Sequence, residues 1–277
     1  MIQTAIMFDV DSTLTPPRQP ITKSMVEILK KLKVPFHVVA GSHISLLNEQ
    51  FFKPLYEFGF RGQFSAFISN GAIHYKCDYS NSMSITLVSE FNIKKHLGDA
   101  DYDFLSKVLK KTLELKKFQL PPSIKVIGER IADRISMVNF CPIGRMEKEN
   151  IDIQINRKNF SVFDCNNGYR KELMTYLNQE LALLINKKNL EIMLGGQTSF
   201  DIGIRDQDKT NSIRTLLKEG VKRLIFIGDA LFEGGNDYVI RKFIQKWPSD
   251  SECPVEAIQT NSWEHTKEIL YENKFVS

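Results

Sequence analysis

The sequence feature that most constrains the fold is a strand, helix and strand pattern near the beginning of the chain. Residues 5–8 form a short apolar run, which is typical of a buried strand. From Thr22, apolar residues recur at helical spacing while charged residues occupy the other face, as in an amphipathic helix. A second apolar run, residues 36–40, ends at Gly41-Ser42. Because two parallel strands joined by a helix are the unit of a parallel sheet, this pattern predicts an α/β fold.

The far end of the chain repeats this pattern. Residues 209–217 have helical spacing, and the apolar run 224–227 ends at Gly228-Asp229. Between the two ends, alternating segments predict half-exposed antiparallel strands at residues 84–91, 131–140, 160–163 and 190–204, with helices near 100–117 and 168–186. We therefore expect a first domain of residues 1–85 and 205–277, interrupted by a second α/β domain of residues 86–204.

Composition argues against several classes of protein. The net charge of +4 comes from 37 basic and 33 acidic residues. Because the charged residues form no long block of one sign, we expect no nucleic-acid partner. The small positive excess suits a small anionic substrate. The 4 cysteines form no C-x-x-C pair, which argues against a disulfide framework or a zinc ribbon. Neither a signal-peptide pattern nor a long apolar run is present, and we expect a cytoplasmic protein without a membrane partner.

Two acidic residues, Asp9 and Asp11, directly follow the first predicted strand. One ionised carboxylate can attack phosphorus and hold a metal ion. The other, kept partly protonated by burial and by its negative neighbour, can exchange a proton with a sugar oxygen. The alternative is a pair that only caps the next helix.

Further polar residues lie at the ends of apolar strands or at the start of a helix. Ser42 is a candidate hydrogen-bond donor to a phosphoryl group, and Lys209 a candidate for neutralising the charge on its oxygens. Asp229 is a candidate magnesium ligand, supported by Asn236 and Asp237. Each residue alone also fits a helix cap, a surface charge or a turn, but their order along the chain favours phosphoryl transfer.

That order, D-x-D-x-T followed by Ser, Lys, G-D and N-D, resembles the haloacid dehalogenase superfamily. The segments FDVDSTLTPPRQPITK, SMVNFCPIGR, GGQTSFDIG and FIGDALFEGGND resemble the eukaryotic phosphomannomutase family, over about residues 5–240. The resemblance implies a Rossmann-like core with a parallel sheet and an inserted α/β cap domain with an antiparallel sheet.

The resemblance also implies an activity. Mannose 6-phosphate and mannose 1-phosphate would be interconverted through an aspartyl phosphate and a hexose 1,6-bisphosphate, which also serves as the activator. The reaction would supply GDP-mannose synthesis. Family members commonly pair through the cap domain, so a homodimer is implied. The alternatives are a sugar-phosphate phosphatase on the same fold and an inactive homologue that binds sugar phosphates.

Individual residues match positions of known role in the family. Asp9 matches the phosphorylated nucleophile and Asp11 the general acid/base. Mg²⁺ would be bound by the Asp9 carboxylate, the Asp11 backbone carbonyl and Asp229. The positions that match the family's hexose-phosphate binders are Arg18, Arg134, Arg145, Arg157, Ser199 and Asp201. Arginine suits this role because a guanidinium group grips phosphate bidentately, with charged hydrogen bonds worth roughly 1.5 to 3 kcal/mol each.

The chain departs from the family pattern at several positions. Ser12 replaces the usual Gly, so a positive φ there would strain the loop. Glu233 replaces the usual Pro. Residues 241–243 lack the Asp that helps to bind an additional cation. Matching Arg157 requires an insertion around residues 148–154, without which Asp152 would take that place.

Overall fold

The structure is a computed structural model that describes residues 4–146, 150–248 and 251–276. The chain forms two compact units. The larger unit contains Met1–Glu90 and Asp206–Ser277, and the smaller unit contains Phe91–Arg205. The assignment of residues 86–204 to a separate substrate-binding domain stays a prediction.

The secondary-structure elements are numbered in chain order. The strands are β1 (Thr4–Asp9), β2 (Phe36–Val39), β3 (Gln63–Ile68), β4 (Ile73–Asp78), β5 (Ser84–Glu90), β6 (Glu129–Asp133), β7 (Val138–Arg145), β8 (Leu190–Gly195), β9 (Ser199–Ile204), β10 (Arg223–Gly228) and β11 (Val255–Gln259). The α-helices are α1 (Lys23–Leu29), α2 (Ile44–Leu47), α3 (Lys53–Glu57), α4 (Ile93–Leu97), α5 (Asp99–Glu114), α6 (Ile151–Asn167), α7 (Tyr169–Glu180), α8 (Ala182–Lys188), α9 (Lys209–Lys218), α10 (Tyr238–Gln245) and α11 (Trp263–Glu272). A π-helical segment, Asn48–Phe52, joins α2 to α3, and a 3₁₀ turn, Lys116–Phe118, follows α5.

The larger unit is built on a mixed, mostly parallel sheet. Within the described residues, its strands lie in the order β11-β10-β1-β2-β3-β4-β5. The strands from β11 to β3 are parallel, whereas β4 and β5 are antiparallel additions at one end. The predicted α/β class with a parallel core is confirmed.

The two faces of β1 pack against different parts of the larger unit. Ala5 and Met7 belong to a core cluster that includes Ile213 and Leu216 of α9, while Phe8 on the opposite face contacts the ring of Phe36. Successive side chains of a strand alternate between faces. Asp9, two residues after Met7, therefore lies on the α9 side of the sheet.

The smaller unit is built on an antiparallel sheet, as the sequence predicted. Its strand order in the described chain is β6-β7-β9-β8. One face contributes Phe140 and Phe200 to the hydrophobic core, and the cross-strand pair Asn139 and Asp201 lies on the other face. The residues at 131–140 and 190–204 each form parts of two strands rather than one.

The predicted strand at residues 160–163 is wrong, because these residues lie within α6. The side chain of Asn150 caps the start of α6 by accepting a hydrogen bond from the Ile153 N–H, and Gly168 ends the helix in the left-handed conformation. Phe160 is buried in the core of the smaller unit. A four-residue apolar run does not distinguish a buried helix turn from a strand, and these capping residues decide in favour of the helix.

In the described parts of the chain, no helix combines the length and the apolar character needed to cross a bilayer.

A half-buried histidine, His37, and a buried one, His74, are linked through Ser65 in the centre of the larger sheet. His37 Nδ1 accepts a hydrogen bond from the backbone N–H of Ser65 at 3.0 Å, and His74 Nε2 lies 3.1 Å from the Ser65 hydroxyl. Burial lowers the pKa of His37 to about 4, against a smaller opposing effect of Glu219. Burial also lowers the pKa of His74. Burial therefore favours the neutral form of both rings.

This arrangement makes stability depend on pH. A histidine with a depressed pKa in the folded state contributes stability above its unfolded pKa of about 6.5, and this contribution is lost as the pH falls towards the folded value. From His37 alone, we expect the free energy of unfolding to fall by about 2 kcal/mol between pH 7.5 and pH 5. Replacing His37 with Asn, whose Oδ1 can accept the same hydrogen bond, should remove most of this loss in urea unfolding.

The exposed His43 provides a matched control. A His43→Asn variant should keep the wild-type pH dependence of unfolding. If His37→Asn also keeps it, burial of His37 is not the source of the effect.

Candidate active site

The carboxyl ends of three parallel strands form a small polar cavity in the larger unit. Strands β1, β2 and β10 are adjacent and parallel, so their last residues meet at one edge of the sheet, where ligands bind in open α/β sheets. The cavity has a volume of about 170 Å³. Its lining residues are Asp9, Asp11, Ser12, Ala40, Gly41, Ser42, Asp229 and Asn236. The structure thus brings together most of the residues predicted for the catalytic centre.

Lys209 forms a buried ion-pair network beside this cavity. Its ammonium Nζ donates to Asp9 Oδ1 at 2.7 Å and to Asp237 Oδ1 at 2.5 Å, and its side chain is only 1% exposed. Lys209 is the first residue of α9, which packs against the sheet face that carries Asp9. The sequence predicted Lys209 near the cavity but did not predict its ion pair with Asp237.

Three carboxylates at this edge are close enough to share a cation. One oxygen each from Asp9, Asp229 and Asp237 lies within 4.8 Å of the others. Two oxygens on opposite sides of one Mg²⁺ are about 4.2 Å apart, so small side-chain movements would bring all three into its coordination distance. The predicted ligand set contained Asp9, Asp229 and the Asp11 carbonyl, with Asp237 in a supporting role.

The electrostatics of this group favour a bound cation. Burial, opposed in part by Lys209, raises the pKa of Asp9, and the neighbouring Asp237 raises it further. Burial and the charge of Asp237 also raise the pKa of Asp229. One lysine does not balance three clustered carboxylates, and hard carboxylate oxygens are the ligands that Mg²⁺ prefers. The donor set therefore fits a divalent metal ion.

A tight turn after β1 orients Asp11. The backbone N–H groups of Leu14 and Thr15 both donate to the Val10 carbonyl, and Asp11 Oδ1 accepts a hydrogen bond from the Arg18 backbone N–H at 2.5 Å. Arg18 itself is exposed and has a φ of 54°. The structure therefore shows a contact from the Arg18 backbone to Asp11, and its predicted binding of a sugar phosphate stays a prediction.

Ser12 has the positive φ that the sequence analysis expected to strain the loop. Its φ is 64°, in the left-handed region where a side chain is disfavoured. Replacing Ser12 with Gly should raise the free energy of unfolding by about 0.5 to 1 kcal/mol, because relief of strain outweighs the greater flexibility of the unfolded chain. Urea unfolding measures the change.

Ser45 in α2 supplies a control of opposite sign. It is exposed on a helix, so Ser45→Gly should lower stability, by about 0.5 kcal/mol. Equal effects of the two substitutions would show that the backbone conformation at Ser12 costs nothing.

The turn between β3 and β4 supports both Ser42 and Lys209. Ser69, Asn70 and Gly71 all have positive φ. The N–H of Ser69 donates to the Ser42 carbonyl at 3.2 Å. The side chain of Asn211, in the same helix as Lys209, donates to the Gly71 carbonyl at 3.3 Å. The Asn-Gly pair is a turn signal in the sequence, but its contacts to these two elements depend on the fold.

In the smaller unit, several predicted sugar-phosphate binders lie on or near one face of the antiparallel sheet. Asn139 Nδ2 donates to Asp201 Oδ1 at 2.6 Å, and the Ser199 hydroxyl donates to the Gly195 carbonyl at 2.6 Å. Burial and then the charge of Arg145 lower the pKa of Arg134, while Asp201 opposes the shift. These charged groups are therefore close enough to interact. The sequence analysis missed Asn139.

Arg157 lies on α6, where it lines a separate groove of about 490 Å³ within the smaller unit. The other residues of this groove are Gln154, Lys158, Ser161, Val162 and Gln197. Of the insertion expected around residues 148–154, residues 148 and 149 lie outside the described residues, and residues 151–154 begin α6. Asp152 lies in the first turn of this helix.

Comparison with solved structures shows the fold. The chain superposes on the IMP-nucleotidase of Plasmodium falciparum in an IMP-bound mutant structure, with a TM-score of 0.57 and 15% sequence identity. The match covers 99% of this chain and 69% of the nucleotidase. The ATP-bound structure of the same protein gives a TM-score of 0.54 at 19% identity, covering 100% of this chain and 61% of the nucleotidase. Both comparisons show that this chain shares the fold of the nucleotidase.

Comparison with known sequences shows the family. The phosphomannomutase of Spinacia oleracea is 35% identical over 240 residues, covering 84% of each chain. Phosphomannomutase 2 of Dictyostelium discoideum is 35% identical over 241 residues, covering 86% of each chain. The family model described as eukaryotic phosphomannomutase matches residues 22–259, which include Ser42, Lys209 and Asp229. This chain belongs to the eukaryotic phosphomannomutase family.

Proposed function

We propose that this protein is a phosphomannomutase that interconverts mannose 6-phosphate and mannose 1-phosphate. The observation that carries the proposal is the buried Asp9 carboxylate, paired with Lys209 beside Asp229 in a chain of this family. The reaction is freely reversible in chemical terms because one phosphate monoester is converted into another. The mannose 1-phosphate formed is the sugar phosphate that GDP-mannose synthesis requires.

In the proposed mechanism, Asp9 is the nucleophile. A carboxylate oxygen of Asp9 attacks the phosphorus of hexose 1,6-bisphosphate, and the bond from phosphorus to the sugar oxygen breaks as the aspartyl phosphate forms. Asp11 gives a proton to the departing sugar oxygen and later removes one from the attacking hydroxyl. The phosphoryl group then passes from Asp9 to the free O6 hydroxyl of a mannose 1-phosphate molecule, which gives mannose 1,6-bisphosphate. After this bisphosphate has turned around, Asp9 takes the phosphoryl group from O1, so that mannose 6-phosphate leaves and the aspartyl phosphate is restored.

Ser42 and Lys209 stabilise the transferring group in this proposal. Ser42 lines the cavity, and its hydroxyl can donate a hydrogen bond to a phosphoryl oxygen there. The Lys209 ammonium, already bound to Asp9, can neutralise charge that develops on the phosphoryl oxygens. A divalent metal, proposed as Mg²⁺ and held by Asp9, Asp229 and the Asp11 carbonyl, would reduce the repulsion between the nucleophile and the phosphate.

We assign the second phosphate and the sugar hydroxyls to residues 86–204, with residues 1–85 and 205–277 as the catalytic core. A mutase must hold a phosphate that is not reacting, which a phosphatase does not need to do. The proposed contacts are Arg18 in the core and Arg134, Arg145, Arg157, Ser199 and Asp201 in the substrate-binding domain. The charged interaction between Arg134, Arg145 and Asp201 supports this assignment, as do the matches to the family positions.

The experiment that tests the function is identification of the product. Purified protein is incubated with mannose 1-phosphate, Mg²⁺ and a catalytic amount of hexose 1,6-bisphosphate, and mannose 6-phosphate and inorganic phosphate are both measured. We expect mannose 6-phosphate, and a lag or loss of activity when the bisphosphate is omitted. Free phosphate in its place would identify a sugar-phosphate phosphatase, and no turnover would identify an inactive homologue. Glucose 1-phosphate in parallel measures the preference between the two sugars.

We further propose that the protein is a cytoplasmic homodimer that pairs through residues 86–204. The support is the resemblance of this segment to the cap domain of the family. Light scattering of the purified protein measures its mass against the 31.9 kDa of one chain. A monomer at micromolar concentration would contradict the dimer and leave the catalytic proposal unaffected.

A further inference from the structure

The loop after β10 carries two of the three clustered carboxylates. Asp229 begins this loop and Asp237 ends it, directly before α10. Asp237 is fixed by its ion pair with Lys209 and by a hydrogen bond from its N–H to the Ala230 carbonyl at 3.2 Å. Asp229 is half-buried, and the position of its carboxylate depends on how the first residues of the loop are held.

Gln259 holds these first residues from the neighbouring strand. It is the last residue of β11 and pairs in register with Gly228, the residue before Asp229. Its side-chain Nε2 donates to the Asp229 carbonyl. Its Oε1 accepts from the N–H of Leu231 at 3.0 Å. One amide group therefore binds the backbone on both sides of Ala230.

These two hydrogen bonds need a side chain that carries a donor and an acceptor at the same distance from the backbone. Glutamine has both, whereas glutamate has no donor when it is ionised and methionine has no comparable hydrogen-bonding pair. The loop is also packed too tightly for simple rearrangement, because a side chain at Gly235 would collide with the Ala230 carbonyl. Loss of the amide would therefore leave the Asp229 carbonyl and the Leu231 N–H without this side-chain partner, while Ala230 stays bound to Asp237.

We propose that Gln259 is a positioning residue that directs the Asp229 carboxylate towards the shared cation site. Gln259 acts through the backbone of Asp229 and touches neither the proposed substrate nor the metal. The proposal rests on the proposed function only in taking Asp229 as a metal ligand. Residues that orient metal ligands typically change metal affinity by about 10- to 100-fold when they are removed. We expect an effect of this size on Mg²⁺ binding, with little effect on sugar-phosphate binding.

The test compares Mg²⁺ binding to the wild type and to Gln259→Met by the shift in melting temperature during MgCl₂ titration. The Mg²⁺ concentration that gives half of the maximal shift should rise by at least about tenfold in the variant. In the coupled mutase assay, kcat should recover at saturating Mg²⁺ and the KM for mannose 1-phosphate should stay within about twofold. Gln63→Met is the matched control, because Gln63 also donates one strong hydrogen bond, to Asp78 at 2.7 Å, on an exposed surface.

The outcomes separate this proposal from the proposed function. Wild-type Mg²⁺ affinity in Gln259→Met, or an equal change in Gln63→Met, would overturn the role of Gln259. Should Gln259→Met not fold, Gln259→Glu keeps the acceptor for Leu231 and loses the Nε2 donor to the Asp229 and Thr260 carbonyls. High ionic strength screens the negative charge that this variant adds, and the same weakening of Mg²⁺ binding is expected there. A wild type that binds Mg²⁺ through this site without mutase activity would reject the proposed function and leave the role of Gln259 standing.

Discussion

The Asp9→Asn variant is expected to lose at least about 10⁴-fold in kcat for the conversion of mannose 1-phosphate to mannose 6-phosphate. An amide oxygen is a poor nucleophile, so the phosphorylated intermediate of the proposed mechanism cannot form. The fold should survive, because Asn fills the same volume and Lys209 keeps its 2.5 Å ion pair with Asp237. Removing one of three clustered carboxylates also relieves repulsion in the absence of metal.

Two measurements distinguish chemical loss from structural loss. The melting temperature of Asp9→Asn in EDTA should equal or exceed that of the wild type. Incubation with ³²P-labelled hexose 1,6-bisphosphate, followed by acid quenching, should label the wild type and leave the variant unlabelled. A variant that retains more than a small percentage of wild-type activity would exclude Asp9 as the nucleophile.

The sequence predicted the parts of the site that depend on local pattern. Apolar runs located β1, β2 and β10, and the carboxyl ends of parallel strands necessarily meet at one edge. Asp9 and Asp229 were therefore expected at the same place from their positions after these runs, and the structure brings their carboxylates together. Helix α9 was also predicted, because its apolar residues recur at helical spacing. The structure adds that the Asp208 side chain caps its beginning.

Contacts between segments that are distant in sequence could not be predicted from local patterns. The pairing of Asp237 with Lys209 depends on how the loop after β10 folds back towards α9. The role of Gln259 depends on β11 lying beside β10, and that of Asn139 on the pairing of β7 with β9. A single polar residue at a strand end carries no signal for its partner. The error at residues 160–163 has a different origin, since a short apolar run fits either a helix or a strand.

Removal of the buried ammonium group should have the largest effect on stability. In EDTA at pH 8, we expect Lys209→Met to lower the free energy of unfolding by about 3 to 5 kcal/mol, because one partner of a buried ion-pair network is lost and its carboxylates stay behind. Lys76→Met is the control. Lys76 forms an exposed ion pair with Glu219 at 2.9 Å, and its removal should cost less than about 1 kcal/mol.

The carboxylates that lose their positive partner in Lys209→Met also determine how the stability of this variant changes with pH and with Mg²⁺. Burial already raises the pKa of Asp9 in the wild type, and loss of the ammonium raises it further. A carboxyl group with a raised pKa destabilises the folded state above its unfolded pKa, so the stability deficit of the variant should shrink as the pH falls from 8 to 5.

Mg²⁺ should also recover part of the lost stability, because a cation at Asp9, Asp229 and Asp237 replaces the missing positive charge. Urea unfolding at both pH values, with EDTA and with MgCl₂, measures each effect. A deficit that changes with neither pH nor Mg²⁺ would mean that Lys209 stabilises the fold by packing alone, and the carboxylate cluster would then not be a charged cation site.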